Sequence, residues 1–144
     1  MVNNSQIQLT NHPIDSETLH QELLKDSESL GGVALFEGRV RNHSHGKTVT
    51  SLFYECYQPM ALKVMEEIRQ EAISKWKDLK IMAVHRYGAI PLGEAAVWIG
   101  VAAPHRDEAF QACRFMIDEI KSRVPIWKKE EYADGTHVWV HQSC

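Results

Sequence analysis

Two apolar runs, residues 81–87 and 94–103, are joined only by the turn Gly88-Ala-Ile-Pro-Leu-Gly93, and this short link constrains the fold more than any other feature. A link of that length cannot contain the crossover that parallel neighbours need, so the two strands must pair antiparallel. The same economy recurs along the chain. Residues 6–10 read as a first strand, and Ile14-Asp15-Ser16 opens a helix with Leu19, Leu23 and Leu24 as its apolar stripe. Gly31-Gly32 breaks the chain before a strand over 33–41. The polar stretch 42–48 reads as a loop and 49–57 as the next strand, which makes 31–57 a hairpin subregion.

Pro59 suits the first turn of a helix on which Ala61, Val64, Met65, Ile68, Ala72 and Trp76 recur at helical spacing. A third helix begins near Arg106-Asp107, with Ala109, Phe110, Cys113, Ile117 and Ile120 on its buried face. It stops near Arg123, because Pro125 disfavours helical geometry at Val124. Residues 126–131 and 137–141 then pair across Asp134-Gly135. The order βαββαββαββ predicts a single α+β domain over 1–144, with three helices and largely antiparallel strands. No dinucleotide fingerprint or P-loop is present.

A net charge of −3 gives no basic excess for nucleic acid or a membrane surface. That total conceals an asymmetry: residues 1–37 hold six acids and one lysine, whereas 38–54 hold Arg39, Arg41 and Lys47 and no acid. A second basic cluster, Lys121, Arg123, Lys128 and Lys129, comes late. Local cations on an acidic chain suit a compact anion better than a polyanion. The first residues lack the basic and apolar regions of a signal peptide, so the expected location is cytoplasmic. The three cysteines show no C-x-x-C spacing and the eight histidines no ligand spacing, so neither a disulfide framework nor a metal site is expected.

Three stretches carry groups suited to chemistry. Pro104-His105-Arg106-Asp107 opens the third helix, where free N–H groups and the positive dipole end favour an anion. The spacing equally allows a plainer arrangement, with Arg106 paired to a nearby acid. Lys121 lies at that helix's C-terminus, a favourable place for any cation. Because Pro125 turns the chain, Lys128 can return towards Lys121, where mutual repulsion and burial beside Trp127 would tune a lysine for proton transfer or anion binding. In Phe36-Glu-Gly38-Arg-Val-Arg41, strict alternation puts Phe36 and Arg41 on opposite faces; if both line one site, Gly38 marks a bulge. Arg39 reads as an exposed strand residue. These features alone name no reaction.

The same stretches resemble the large, catalytic subunits of molybdopterin synthases. The matching pieces, in order, are Gly32-Val-Ala-Leu-Phe36-Glu-Gly38-Arg-Val-Arg41-Asn-His43, Leu52-Phe-Tyr-Glu-Cys-Tyr57-Gln-Pro-Met-Ala61, His85-Arg86-Tyr-Gly88, His105-Arg106-Asp-Glu-Ala-Phe110, and Ile117-Asp-Glu-Ile-Lys121 continuing through Pro125-Ile-Trp-Lys128-Lys-Glu130. The resemblance implies an α/β-hammerhead fold and a homodimer within a heterotetramer, with a small ubiquitin-like sulfur-carrier subunit at each end. It implies a sulfurtransferase that moves sulfur from the carrier's C-terminal Gly-Gly thiocarboxylate to a cyclic pyranopterin monophosphate, with no cofactor. Lys121 and Lys128 fall on the family's catalytic positions, and Phe36, Arg41, His105 and Arg106 on its substrate-binding positions. Two other readings stay open: a related enzyme acting on another phosphorylated heterocycle, and a non-catalytic module that binds ubiquitin-like Gly-Gly tails.

Overall fold

The structure, a computed structural model, describes residues 6–141. Its elements run β1 (Ile7–Thr10), α1 (Ser16–Leu24), β2 (Gly32–Arg39), β3 (His43–Ser44), β4 (Lys47–Cys56), α2 (Gln58–Lys75), β5 (Lys80–Arg86), β6 (Gly88–Ile90), β7 (Ala95–Ala103), α3 (Arg106–Arg123), β8 (Ile126–Tyr132) and β9 (His137–His141). As the short links require, pairing is antiparallel throughout except between β1 and β5. Among the described residues, no helix is long and apolar enough to cross a membrane.

The strands form two sheets, ordered β1-β5-β7-β2 and β3-β4-β8-β9, with β6 paired to β4. In the first sheet β7 is buried from Ala96 to Ala103, which explains why it reads as one continuous apolar run rather than an alternating one. Trp98 and Ala102 join Met82 and Leu23 of α1 in a small core. Val97, Ile99, Val101 and Ala103 face the other way, into the main core with α2 and α3. Asp15 caps α1 by accepting from Thr18 N–H, as a short polar side chain at a helix start does.

Four expectations need correction. Residues 31–57 are not one hairpin: β2 belongs to the first sheet and β4 to the second, and the hairpin present is β3–β4. Its turn uses His45 and Gly46 at positive φ, 51° and 76°, within the stretch expected to be a plain loop. The link 88–93 contains β6, which pairs with β4 through Leu52 and Ile90 and so ties the two sheets together. Leu24 and Phe110 are exposed, 45% and 66%, rather than buried. Alanines 109 and 112 bring α3 close to the sheet, and Phe110 projects beside Trp76 and Phe115.

Leu23 is the one buried residue of α1 and is fully enclosed. Leu23→Ala is expected to cost about 2–5 kcal/mol in chemical denaturation, with faster amide exchange confined first to α1.

Candidate active site

The reversal after α3 builds the site. Val124 leaves helical geometry at φ −78°, ψ 132°, while its N–H still bonds Ile120 C=O at 3.2 Å. Pro125 prevents a further turn. The chain doubles back as β8, and Lys128 lines the same cavity of about 210 Å³ as Lys121. Arg123 does not join them, because it is held by Glu71 and Glu119 at 2.7 and 3.1 Å.

Strand alternation selects what faces this cavity. Tyr54 lies opposite Lys128, and Leu52 opposite Glu130, across the β4–β8 ladder. Trp127 points to the other face of β8, 44% exposed and edge-on to His141, so it does not bury Lys128 as expected. The neighbour of Lys128 is instead a carboxylate. Its Nζ lies 3.3 Å from Glu130, which is only 3% exposed and also accepts a hydrogen bond from the Tyr132 hydroxyl at 2.7 Å. Burial pushes the Glu130 carboxyl up, but hydrogen bonds from Tyr132, Lys128 and Ser44 and the Lys128 charge outweigh it, so its pKa lies below the ordinary value. Donating to Glu130 pushes the Tyr132 hydroxyl up to about 12.

The opposite wall comes from the end of β2. The β2–β7 register shifts between Gly38 and Arg39, where a bulge was expected if Phe36 and Arg41 lined one site. A Cβ on Gly38 would lie 2.7 Å from Val97 Cγ1, so the bulge needs a bare Cα. Arg41 then lines the cavity with Arg39 and His43. Arg39, expected to be an exposed strand residue, is exposed along its length, yet its guanidinium donates to Gly93 C=O. Phe36 is partly exposed on β2 and is not among the lining residues.

His105 and Arg106 lie elsewhere. The helix α3 is unbroken from Arg106 to Arg123, so Arg106 and Lys121 are separated by roughly 22 Å along its axis. Gly32 sets the near end of α3, since a Cβ there would meet His105 and Arg106 backbone atoms at 2.9 Å. His105 is exposed, with Nδ1 3.8 Å from Glu108.

Lining residues given no role from sequence include Tyr54, His85 and Glu130, and Arg39 was set aside as exposed. Period-two alternation from Lys128 does pick out Glu130, whereas the buried His85, whose Nδ1 donates to Arg86 C=O at 2.9 Å, leaves no such signal. Burial pushes the Cys113 thiol up to about 11, and burial with the Glu55 charge raises Cys56. Cys144 lies outside the described residues, among which no three His, Cys, Asp or Glu side chains form a metal-binding group.

Because Glu130 has a depressed folded pKa, its stabilisation is present above the ordinary glutamate value of 4.5 and is lost as pH falls through the lower folded value. Glu130→Gln should therefore be less stable than the native chain at neutral pH. The difference should shrink in acid denaturation below about pH 4.5.

With this geometry in view, a family model described as MoaE protein matches residues 9–123. The molybdopterin synthase catalytic subunit 1 of Aedes aegypti is 49% identical over 109 residues, covering 75% of this chain and 70% of that protein. The catalytic subunit of Drosophila erecta is 48% identical over 133 residues, 92% of this chain but 35% of its own length, so the chain spans about a third of that relative. The crystal structure of molybdopterin synthase from Staphylococcus aureus superposes with a TM-score of 0.87 at 37% identity, covering 94% of this chain and 96% of that one. A Helicobacter pylori chain, from a complex of subunits 1 and 2 of molybdopterin-converting factor, shares the fold at a TM-score of 0.76 and 16% identity, over 93% of this chain and 89% of that one. The chain belongs to the MoaE family, the catalytic subunits of molybdopterin synthase.

Proposed function

We propose that this chain catalyses the sulfur transfer of molybdopterin synthase in the cytoplasm, moving sulfur from the thiocarboxylate tail of a small carrier subunit to a cyclic pyranopterin monophosphate. The observation that carries this reading is the convergence of Lys121, Lys128 and Arg41 on one cavity whose wall includes a single carboxylate, Glu130. Fixed cations around a small space favour an anionic substrate and any negative charge that develops on it.

In this reading Arg41 binds phosphate, offering paired N–H donors to its oxygens. Lys128, held beside Glu130, binds substrate and offsets charge as the cyclic phosphate opens. Lys121 lies at the cavity edge of α3, contacts the carrier's tail carbonyl and assists transfer and release. The sulfur arrives on the carrier, so no thiol of this chain has to react.

The unbroken α3 also argues for a site shared between two copies of the chain. One side-chain reach cannot bridge roughly 22 Å, so His105 and Arg106 of one protomer complete the cavity of its two-fold partner. Two apolar surfaces suit protein contacts: Val33 and Leu35 on the edge strand β2, and Phe53, Tyr57, Trp127 and Trp139 on the second sheet and just beyond β4, all more than a third exposed. The two-subunit complex of the Helicobacter pylori relative supports a carrier subunit as one of the partners.

Reconstitution with a thiocarboxylated carrier tests the reading. Lys121→Ala is expected to lose nearly all sulfur transfer while keeping its fold, since a helix-end cation contributes only about 0.3–1 kcal/mol. Lys121→Arg should not restore activity, because guanidinium does not exchange a proton at neutral pH. Carrier binding without turnover in the native chain would instead make this a binding module.

The shared site has its own test. Inactive Arg106→Ala and Lys121→Ala chains, co-refolded, should regain about a quarter of native activity, since half the dimers are mixed and each holds one intact site. Mixed dimers that form and remain inactive would return Arg106 to a separate role.

A further inference from the structure

The turn at 91–94, which backs the arginine wall of the cavity, has little of its own to hold it. Its four residues are all exposed, so burial contributes little to its position. Gly93 sits at φ +82°, and Glu94 N–H bonds Pro91 C=O at 3.2 Å, closing the turn locally. The turn's own side-chain tie to the rest of the fold is an ion pair. Arg86, at the end of β5, has a side chain only 7% exposed, and its Nη1 donates to Glu94 Oε1 at 2.8 Å. Such a buried cation is fixed by its packing, so it can anchor an exposed segment.

From the turn the restraint passes to the site through backbone bonds. Val40 N–H donates to Glu94 C=O at 3.0 Å, and Gly93 N–H donates to Val40 C=O at 2.8 Å. Arg39 Nε donates to Gly93 C=O at 3.0 Å. Val40 thus has both backbone groups on the turn, and its neighbours in sequence are the two arginines that line the cavity. Their strand has just passed a bulge and lost its regular ladder to β7, so the turn replaces the ladder as their support.

We propose that Glu94, anchored by Arg86, is a positioning residue that sets Arg41 for the substrate phosphate. It touches no substrate itself. The proposal rests on the reading of Arg41 as a phosphate ligand, and the test separates the two. In the dimeric enzyme reconstituted with a thiocarboxylated carrier, KM and kcat for the cyclic pterin phosphate are measured in native, Glu94→Gln, Arg41→Ala and doubly substituted chains. The expected result is a KM raised about fivefold or more by Glu94→Gln, with kcat within about twofold. In the Arg41→Ala background the same change should move KM by less than about twofold, because its target is gone. Thermal unfolding should shift equally in both backgrounds, which separates positioning from stability. An equal KM penalty in both backgrounds would overturn the positioning role and leave Arg41 as a ligand. An unchanged KM in Arg41→Ala alone would overturn Arg41 as a ligand and the positioning role with it.

Discussion

The geometry of the site depends on a backbone constraint, the inability of Val124 to continue α3 into Pro125. A helix that ran on would carry Lys121 and Lys128 on one face of a single rod, two turns and about 10 Å apart, with no strand β8 to close a cavity around them. Because the helix stops at Arg123, the next strand returns and both side chains reach one cavity. The stop has a second consequence. Ile126 and Glu130 enter the interior as β8 pairs with β4, and the second sheet is built on the strand that carries Lys128. The turn that ends the helix therefore sets the lysine pair and the sheet behind it together.

A cavity lined by several cations in a chain of net charge −3 needs a local counterweight. Glu130 supplies it, and its burial gives it weight. A surface glutamate would be screened by salt within about 8–10 Å, whereas Glu130 is enclosed and held by Tyr132 as well as Lys128. One carboxylate keeps Lys128 extended and ordered without neutralising the cavity, since Lys121, Arg39 and Arg41 line it too. Cations in excess of the one lining carboxylate favour an anion in the cavity.

How much of this was legible in the sequence follows from the physical range of each signal. Helix spans, the α3 stop and the main strands rest on local periodicity and on proline, and they stand within a residue or two of expectation. The bulge at Gly38 was expected if Phe36 and Arg41 lined one site; the register shift lies at that residue, although Phe36 is not on the cavity wall. What could not be read is set by partners distant in sequence. Three residues of β6 are a strand only because β4 lies beside them. The separation of β2 from β4 depends on β7 and β8 as competing neighbours. Arg39 looked like a solvated strand residue, and Gly93, 54 positions away, gives its guanidinium a place on the cavity wall. Phe110 shows the opposite limit: its spacing fits the buried stripe, but the alanines beside it set how closely α3 approaches the sheet.

The cysteines close the chemical argument. Burial pushes the Cys113 thiol up to about 11, so it is protonated at neutral pH where it lies. Cys56 is raised as well, by burial and by Glu55, and it packs against the main core opposite Ile126, outside the lining of the cavity. Neither described thiol lines the cavity with the cations. A chain that arranges lysines and arginines around a cavity, yet keeps its described thiols protonated and away from it, is built to act on sulfur brought by another molecule. In the function proposed above, the cations serve two successive anions, the carrier's thiocarboxylate and the substrate's phosphate. Lys121 at the end of a helix and Lys128 on a strand are suited to meet them separately, since each is held by a different element.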